Sequence, residues 1–488
     1  MNQDKQNLGK KALSGMLWSS GGSFAFQFVR ILTQIVLARL LWPEAFGLVA
    51  LAMSFVSVAN YLIENGLTLF LIRKKDLEDD DAFTLFLANS MFALAIIILL
   101  VFFSSWIANW LGEEEVKWLL IVSSSAILFN ALGSVHKALL TRDLSFKGQT
   151  IILLISAVLS GFIAVITGYL NFGVWSIVIY NISFQLIQTL MIVYKYPISL
   201  KGKFKIGFLK KAVIYSWKLM VSGLIHTIYE NIFNLIMGGL YSTSVLGFYS
   251  NALKIRDGAA QTLTDSIHKV SFPVLSKLQD DKSQLVETTR RILKLSIFVI
   301  YPILFGLAST SESIVRVVFT EDWLGMIPIL QVLAINGLLI PLHKINLNLL
   351  TVVGRTDLYL KLEVQKKIVA FLTIALGLYL KADITQLLWI LFVNAVIGYL
   401  LNVRYASVLV DYGLKEQLKD ILSISSISLG MGIVVWFVPI LLSFSWFGLL
   451  IIQVALGGIT YVFLAYMFSR NEFSQVWSLI IRFTVKKV

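Results

Sequence analysis

Apolar runs of about 20 residues recur along the whole of this 488-residue chain. Each run is long enough to cross the hydrocarbon layer of a bilayer as an α-helix. With 57% hydrophobic and only 14% charged residues, the composition is far from that of a soluble protein. The sequence therefore predicts an all-α membrane protein with about 14 transmembrane helices, near residues 14–38, 45–70, 82–104, 118–141, 149–170, 173–194, 212–239, 244–268, 292–310, 326–350, 362–380, 384–409, 420–441 and 446–468.

The positions of the 41 Lys and Arg residues indicate the orientation of the chain. If both termini are cytoplasmic, most basic residues fall in inner segments, and the outer segments hold only Arg39, Lys117, Arg316 and Lys381. This asymmetry follows the positive-inside rule for membrane proteins. It also accounts for the net charge of +13 without a nucleic-acid partner. We therefore expect a multi-pass protein with both termini in the cytoplasm.

Residue counts exclude several kinds of chemistry. The chain has no cysteine, which excludes a disulfide scaffold, a thiol nucleophile and a cysteine-ligated metal. Its four histidines lie far apart and show no metal-binding spacing. These counts therefore predict no metal centre, and the sequence points to no catalytic residue and no cofactor.

The chain shows weak internal similarity at an offset of 200 residues. This offset aligns Lys11 with Lys211, and it superposes three further pairs without a gap: Leu40 and Leu240, Gly47 and Gly247, and Ala52 and Ala252. A repeat of this kind predicts two pseudo-symmetric six-helix lobes, residues 1–200 and 201–415, followed by residues 416–488 with helices 13 and 14 and a cytoplasmic tail. In transporters built from such parallel repeats, the substrate lies between the lobes.

The first predicted helix carries one narrow polar stripe. At 100° per residue, its members fall within an arc of about 80°: Ser20, Ser23, Gln27, Arg30 and Gln34. Arg30 lies too deep in the span to reach the interface easily, so it is expected to face protein or a water-filled cavity. The alternative is an arginine held in a structural pair with a carboxylate.

The seventh predicted helix carries polar residues four positions apart: Lys218, Ser222, His226, Glu230 and Asn234. Under the 200-residue offset Arg30 matches Glu230 and Gln34 matches Asn234, so equivalent helices present opposite charges. The sequence leaves open whether Arg30 and Glu230 pair with each other or serve a ligand. Together with Arg30, Gln27 and Gln34, we predict Lys218, His226 and Asn234 as substrate-binding residues, and Glu230 as a residue coupling transport to H⁺ or Na⁺.

The eighth predicted span is unusually polar. It carries Lys254, Asp257 and Asp265 on one face and Arg256 on the opposite side, but removing this crossing would place the later basic loops outside. Ionisable groups inside a membrane are functional candidates by default. We therefore predict Lys254 as a substrate contact and Asp257 and Asp265 as ion-coupling residues. The alternative for Lys254 and Asp257 is mutual neutralisation along the helix.

Six segments stand out for their order and spacing along the chain: LARLLWPEAFGLVALAM (37–53), LIRKKDLEDDD (71–81), LGFYSNALKI (246–255), SFPVLSKLQDD (271–281), VVFTEDWLGMIPILQVLAINGLL (317–339) and VVGRTDLYLKLEV (352–364). In this order they resemble the Wzx-type polysaccharide flippases of the multidrug/oligosaccharidyl-lipid/polysaccharide exporter superfamily. The resemblance extends to about residue 410. It is greatest to the branch that exports colanic or teichuronic acid units.

The resemblance implies a MATE/MurJ-like fold in the bacterial inner membrane and no enzymatic activity. It implies transport of undecaprenyl-diphosphate-linked oligosaccharides from the cytoplasmic to the periplasmic leaflet, by alternating access around a cationic cavity lined by helices 1, 2, 7 and 8. Arg30, Lys218 and Lys254 fall on three of these helices. A polysaccharide polymerase and a chain-length regulator are further candidate partners. Two alternatives stay open: a cation-coupled drug or metabolite exporter of the same superfamily, and a membrane glycosyltransferase or polymerase using the same lipid carrier.

Overall fold

Each predicted span is occupied by a helix, or by two consecutive helices, in the computed structural model. The structure describes residues 2–65, 67–74, 76–143, 145–198 and 202–485, apart from the side chains at 2–17, 19, 20, 69, 219, 222, 356, 477 and 479–485. The side chains of Lys11, Ser20 and Ser222, used above, therefore lie outside the described residues. Within the described ranges the chain forms helices and turns and no strand.

The helices confirm a multi-pass, all-α membrane fold. In the described chain, 11 helical segments are long and apolar enough to cross a bilayer. The predicted spans near 212–239, 244–268 and 362–380 are not among them, and all three carry ionisable side chains. The total of 14 crossings therefore stays a prediction.

Contacts between Cα atoms divide the chain into two units, Met1–Asn251 and Ala252–Val488. This boundary follows packing and not the sequence repeat, so the lobes at 1–200 and 201–415 stay a prediction. The first unit contains α1 (Asn2–Leu40), α2 (Pro43–Asn65), α3 (Thr68–Arg73), α4 (Asp79–Leu111), α5 (Glu114–Arg142), α6 (Phe146–Tyr169), α7 (Trp175–Lys195), α8 (Ile206–Leu240) and the first part of α9 (Thr243–Ala259).

Helix α5 lies at the centre of the first unit, where it packs against α2, α4 and α7. Helix α1 packs against α6 through small residues: Gly161 leaves room for the Thr33 side chain, and Gly22 leaves room for Thr150. Small side chains let helices approach closely where lipid supplies no hydrophobic driving force. Helix α8 packs on α2 and α4. This packing places the polar residues of α1, α2, α5 and α8 in one unit.

The second unit continues from α9 and has α11 as its central helix, packed against α10, α12, α16 and α17. Its elements are α10 (Gln261–Lys277), α11 (Lys282–Val318), a 3₁₀ turn (Glu321–Trp323), α12 (Met326–Gly337), α13 (Leu339–Val352), α14 (Thr356–Tyr379), α15 (Ile384–Ser407), α16 (Leu414–Leu441), α17 (Trp446–Phe468) and α18 (Arg470–Val485).

Two features differ from the sequence expectations. The eighth predicted span consists of two helices, because α9 ends at Ala259 and α10 begins at Gln261 around the buried Ala260. Residues 470–485, expected as part of a cytoplasmic tail, form the amphipathic helix α18. Helix α18 has 16 residues and several charged side chains, so it is too short and too polar to cross a bilayer.

Buried charges of the second unit are paired. The Asp420 carboxylate is 2% exposed and accepts hydrogen bonds from Arg290 Nη2 at 2.8 Å and from the Tyr412 hydroxyl at 3.1 Å. Lys294 Nζ lies 3.3 Å from the same carboxylate and 3.4 Å from Glu472 on α18. A buried carboxylate is tolerated when cations and donors compensate its lost hydration. This cluster therefore connects α11, α16 and α18.

Candidate substrate site

The polar stripe predicted on α1 is present in the structure. Arg30 and Gln27 are half-buried, whereas Phe28 and Leu32 are exposed, Phe28 to 63%. At 100° per residue, Arg30 lies about 160° around the helix from both of these apolar side chains. Exposed aromatic and aliphatic side chains of a membrane helix mark its lipid-facing side. Arg30 therefore lies on the side of α1 away from lipid.

Arg30 is not neutralised by a carboxylate. Among the described side chains, none of the ion pairs involves Arg30. Arg30 and Glu230 do not form an ion pair with each other in this structure; whether they serve a ligand stays a prediction. The guanidinium keeps five donors in a fixed planar arrangement, suited to bidentate contact with a phosphate.

Gln34, at the other end of the stripe, is already engaged. Its carboxamide nitrogen donates a hydrogen bond to Oδ1 of Asn251. Asn251 is 1% exposed and donates in turn to the Gly247 carbonyl at 3.0 Å. Gln34 therefore joins α1 to α9, while Gln27 and Arg30 make no such contact among the described residues.

The polar residues of α8 differ in exposure along one drifting stripe. Asn234 donates to the Ser54 hydroxyl at 3.3 Å, so it lies against α2. Glu230 lies about 40° from Asn234 around the helix and His226 about 80°, and both of these side chains are exposed. No described side chain forms an ion pair with either. Lys218 is also exposed, and its ammonium lies 5.8 Å from the Trp217 ring centroid.

The three predicted residues of the second unit are engaged differently from the expectation. Asp257 accepts a hydrogen bond from Arg256 Nε at 2.9 Å, and not from Lys254. The long side chain of Arg256 thus reaches the carboxylate of the adjacent residue, a contact that the sequence did not predict. Asp265 lies 3.2 Å from Lys344 and also accepts from Gln261. Lys254 is half-buried.

The first unit contains a polar cavity that the sequence did not predict. It has a volume of about 400 Å³ and lies between α1, α2, α5, α6 and α7. Lys137 projects into it from α5, 3.8 Å from the Glu64 carboxylate and 3.3 Å from Asn130 Oδ1. Gln185 Nε2 also donates to Asn130 Oδ1, at 3.0 Å. The sequence did not predict Lys137 as a site residue; the spacing of Asn130 and Lys137, seven residues apart on one helical face, was the available indication.

The turns joining α1 to α2 and α8 to α9 make a reciprocal contact. A Cβ atom on Gly47 would lie 1.8 Å from the Thr243 carbonyl oxygen, and one on Gly247 would lie 1.9 Å from that of Pro43. These two contacts are related by the same 200-residue offset. Reciprocal contact of equivalent residues is what a twofold arrangement of repeats produces. Only glycine fits either position, because any side chain would overlap backbone.

The described residues provide no evident metal site, since no group of three or more His, Asp or Glu side chains lies close enough to bind an ion. The first unit instead contains cationic groups and hydrogen-bond donors suited to binding an anion. It holds a half-buried guanidinium without a counter-ion, amides beside it, and an ammonium in a polar cavity. Such donors bind phosphate oxygens strongly where water is scarce.

Comparison with known proteins gives consistent matches. Residues 36–328 match a family described as polysaccharide biosynthesis protein. The teichuronic acid biosynthesis protein TuaB of Bacillus subtilis is 26% identical over 93% of this chain and 95% of its own length. The lipopolysaccharide biosynthesis protein WzxC of Escherichia coli is 24% identical over 82% of each chain. The succinoglycan biosynthesis transport protein ExoT of Rhizobium meliloti is 26% identical, over 78% of this chain and 77% of its own.

Solved structures share the fold at low identity. The lipid II flippase MurJ, in an inward closed conformation, matches with a TM-score of 0.74 and 20% identity over 93% of this chain and 99% of its own. An inward-facing multidrug transporter of the MATE family and MOP superfamily matches with a TM-score of 0.55 and 12% identity, over 81% and 95% of the two chains. These matches confirm the MATE/MurJ-like fold class.

Proposed function

The chain belongs to the polysaccharide biosynthesis protein family, and we propose that it is a flippase for lipid-linked oligosaccharides. Relatives that cover most of the chain are named for teichuronic acid, lipopolysaccharide and succinoglycan biosynthesis, the last as a transport protein. Carrying such a product across a bilayer requires a membrane-embedded path for a polar glycan. The many apolar helices of this chain are long enough to cross a bilayer and could surround such a path.

The single observation that carries the proposal is the state of Arg30. It is half-buried on the side of α1 away from lipid, and no described carboxylate neutralises it. An ionised group held in the membrane is costly unless something compensates it. A diphosphate supplies about two negative charges and oxygens that match the guanidinium. Arg30, with the amide of Gln27, is therefore the proposed contact for the diphosphate of the carrier lipid.

Further parts of the proposal follow from the family resemblance. The protein acts in the bacterial inner membrane with both termini in the cytoplasm, and it moves undecaprenyl-diphosphate-linked repeat units to the outer leaflet without catalysing a reaction. His226 and Lys218, exposed on α8, are proposed to contact the substrate. A polymerase and a chain-length regulator would use the product. The basic inner segments support this orientation.

The experiment replaces Arg30 by glutamine and measures surface polysaccharide and the sidedness of lipid-linked repeat units. We expect Arg30→Gln to reduce surface polymer at least about tenfold, equivalent to about 1.4 kcal/mol, and to retain repeat units in the cytoplasmic leaflet. Arg39→Gln is the matched control, since Arg39 is an exposed arginine in the last turn of the same helix. Normal polymer in Arg30→Gln at normal protein abundance would refute the site.

Different outcomes separate the alternatives. If Arg30→Gln abolishes export of a small cationic dye and leaves the polysaccharide unchanged, the protein is a small-molecule exporter. If repeat units reach the outer leaflet but remain unpolymerised when the chain is deleted, it acts as a polymerase. Retention of intact repeat units on the inner side is the result that the flippase proposal requires.

A further inference from the structure

Helices α14 and α15 enclose a groove that the proposed substrate site does not use. The groove has a volume of about 590 Å³ and lies entirely within the second unit. The two helices are antiparallel and joined by the short turn at residues 380–383, so the start of α14 and the end of α15 lie at the same end of the pair. The groove opens near that end, between Lys361 on α14 and Arg404 on α15.

The groove is cationic at its mouth. Lys361 and Arg404 are both exposed, and no Asp or Glu is among the residues that line the groove. Neither cation forms an ion pair with a described side chain. The neighbouring carboxylates are already engaged, since Glu363 pairs with Lys366 and Asp357 lies 2.8 Å from Arg355. Two cations side by side repel each other unless an anion lies between them.

Polar and apolar groups follow one another along the groove. Arg404 lies three residues from the end of α15 and Lys361 five residues from the start of α14, about 5–8 Å from the helix ends. Next to them, the Tyr405 hydroxyl donates to Gln365 Oε1 at 3.0 Å. Further from the helix ends, the walls are apolar, with Ile368, Val369 and Leu401, while the exposed Val408 lines the groove beyond Arg404. A pair of cations next to an apolar wall matches an amphiphile with an anionic headgroup.

We propose that the groove between α14 and α15 binds an anionic phospholipid of the bilayer. The phosphate lies between Lys361 and Arg404, where Arg404 donates two parallel hydrogen bonds and Lys361 acts as a point charge. The amide nitrogen of Gln365 has no acceptor among the described residues and supplies a further donor. An acyl chain covers Ile368 and Leu401. Basic pockets between transmembrane helices are recognised binding places for such headgroups.

A simpler explanation is that both cations only extend towards the interface, as long basic side chains commonly do. The structure favours a specific site for three reasons: the cations come from two different helices, they share one concave volume, and a polar pair with an apolar wall lies beside them. A control pair on α16 can measure the simpler effect. Lys415 and Lys419 are exposed, lie near the start of that helix, and form no ion pair with described residues.

The experiment measures thermal stability of the full-length protein in neutral detergent during titration with phosphatidylglycerol or phosphatidylcholine. A ligand that binds only the folded protein raises its melting temperature. We expect phosphatidylglycerol to stabilise the parent, and the double variant Lys361→Gln/Arg404→Gln to need about tenfold more lipid for the same shift. The control Lys415→Gln/Lys419→Gln loses the same charge and should behave like the parent. Phosphatidylcholine should have no such effect.

A second variant tests the groove without changing charge. Ile368→Trp fills the apolar wall and should weaken the response to phosphatidylglycerol while both cations remain. Equal losses in the two double variants would overturn the proposal, because they would show general attraction to a basic surface. It would also be overturned if undecaprenyl phosphate were selectively retained on these residues and phosphatidylglycerol were not. The groove is separate from Arg30, so either proposal can fail while the other holds.

Discussion

Asp420 in the second unit and Arg30 in the first are charged side chains of apolar helices, and they differ in how their charge is compensated. In the second unit, Asp420 is buried and contacts Arg290, Lys294 and Tyr412. In the first unit, Arg30 and Glu230 have no ion-pair partner among the described side chains, although both lie in helices of the membrane domain. Charges that are satisfied by protein contribute to structure, whereas charges that are left available can contribute to binding. This difference supports the proposal that Arg30 contacts the substrate, and it indicates a structural role for the Asp420 cluster.

The largest expected effect is on the stability of the second unit. Asp420→Asn removes the negative charge and leaves Arg290 and Lys294 close together, one of them still half-buried. Breaking a buried pair costs about 3 kcal/mol, somewhat less here because the cations are partly exposed. We expect a clear fall in melting temperature, measured by thermal unfolding in detergent. Glu416→Gln removes an exposed carboxylate from the first turn of the same helix and should lower the melting temperature much less.

This prediction tests one half of the comparison. If Asp420→Asn and Glu416→Gln unfolded at the same temperature, the buried cluster would not stabilise the second unit. The pairing of Asp420 would then be a contact seen in the structure that makes no measurable contribution to stability.

The next effect is on transport and concerns the first unit. Glu230 is exposed on α8 and unpaired among the described residues, so Glu230→Gln should change the free energy of unfolding by less than about 0.5 kcal/mol. As the proposed coupling residue, it should instead alter the pH or sodium dependence of transport, by up to about tenfold in rate. Transport in inverted vesicles over a range of pH and sodium concentration measures this. Glu321→Gln, in an exposed turn, is the control.

An unchanged ion dependence in Glu230→Gln would remove this residue from the coupling mechanism. A large loss of stability would contradict the comparison itself, since it would show that Glu230 has a structural partner.

A smaller effect is expected at Glu64 and Lys137, the one ion pair in the polar cavity of the first unit. Their charged atoms are 3.8 Å apart, and the Glu64 side chain is 49% exposed. Pairs of this kind contribute about 0.5 kcal/mol or less. A double-mutant cycle with Glu64→Gln and Lys137→Gln, read by thermal unfolding, should give a coupling energy in that range. The corresponding cycle with Asp420→Asn and Arg290→Gln should give a value several times larger.

A coupling energy above about 1.5 kcal/mol for Glu64 and Lys137 would make this pair structural, like the Asp420 cluster. The first unit would then not differ from the second in how it treats its charges.

The sequence was sufficient for the order of elements and for the position of the α1 stripe. Apolar run length predicts a span directly, and a period of 3.6 residues places Gln27 and Arg30 on one face. The sequence was insufficient for predicting which side chains contact one another. The ion pair of Asp420 with Arg290 joins residues 130 positions apart, and the Asn234–Ser54 contact joins residues 180 apart. Such pairs depend on helix packing, which a hydropathy pattern does not determine.

The same limitation explains the contacts that the sequence did not predict. In the second unit, Asp257 was predicted from its place on a helix face, but the flexible side chain of Arg256 reaches it from the adjacent position. In the first unit, Lys137 lies near the end of the predicted span at 118–141, and its contacts with Glu64 and Asn130 depend on side-chain reach and on where α5 ends. Side-chain length and helix ends are the two quantities that periodicity leaves undetermined.

The smallest predicted effect concerns Glu113, in the turn between α4 and α5. Partial burial, the neighbouring carboxylate of Glu44 and, less strongly, that of Glu115 raise the pKa of Glu113, while a hydrogen bond with Thr243 opposes the shift. A raised pKa in the folded state means that Glu113 contributes stability below its unfolded pKa and loses it as pH rises through the folded value. Lowering the pH should therefore stabilise the folded state through Glu113, although it weakens the hydrogen bond with Thr243.

The test is the pH dependence of thermal unfolding in Glu113→Gln. Glutamine keeps the acceptor for Thr243 and removes the charge, so the variant should be more stable than the parent at neutral pH by about 0.3 kcal/mol. The difference should shrink as pH falls towards 4, where the parent carboxyl is protonated. Glu114→Gln, exposed at the adjacent position, is the control. If the stability difference between Glu113→Gln and the parent stayed constant across this pH range, Glu113 would not titrate there. Its charge would then not be a source of pH-dependent stability in the first unit.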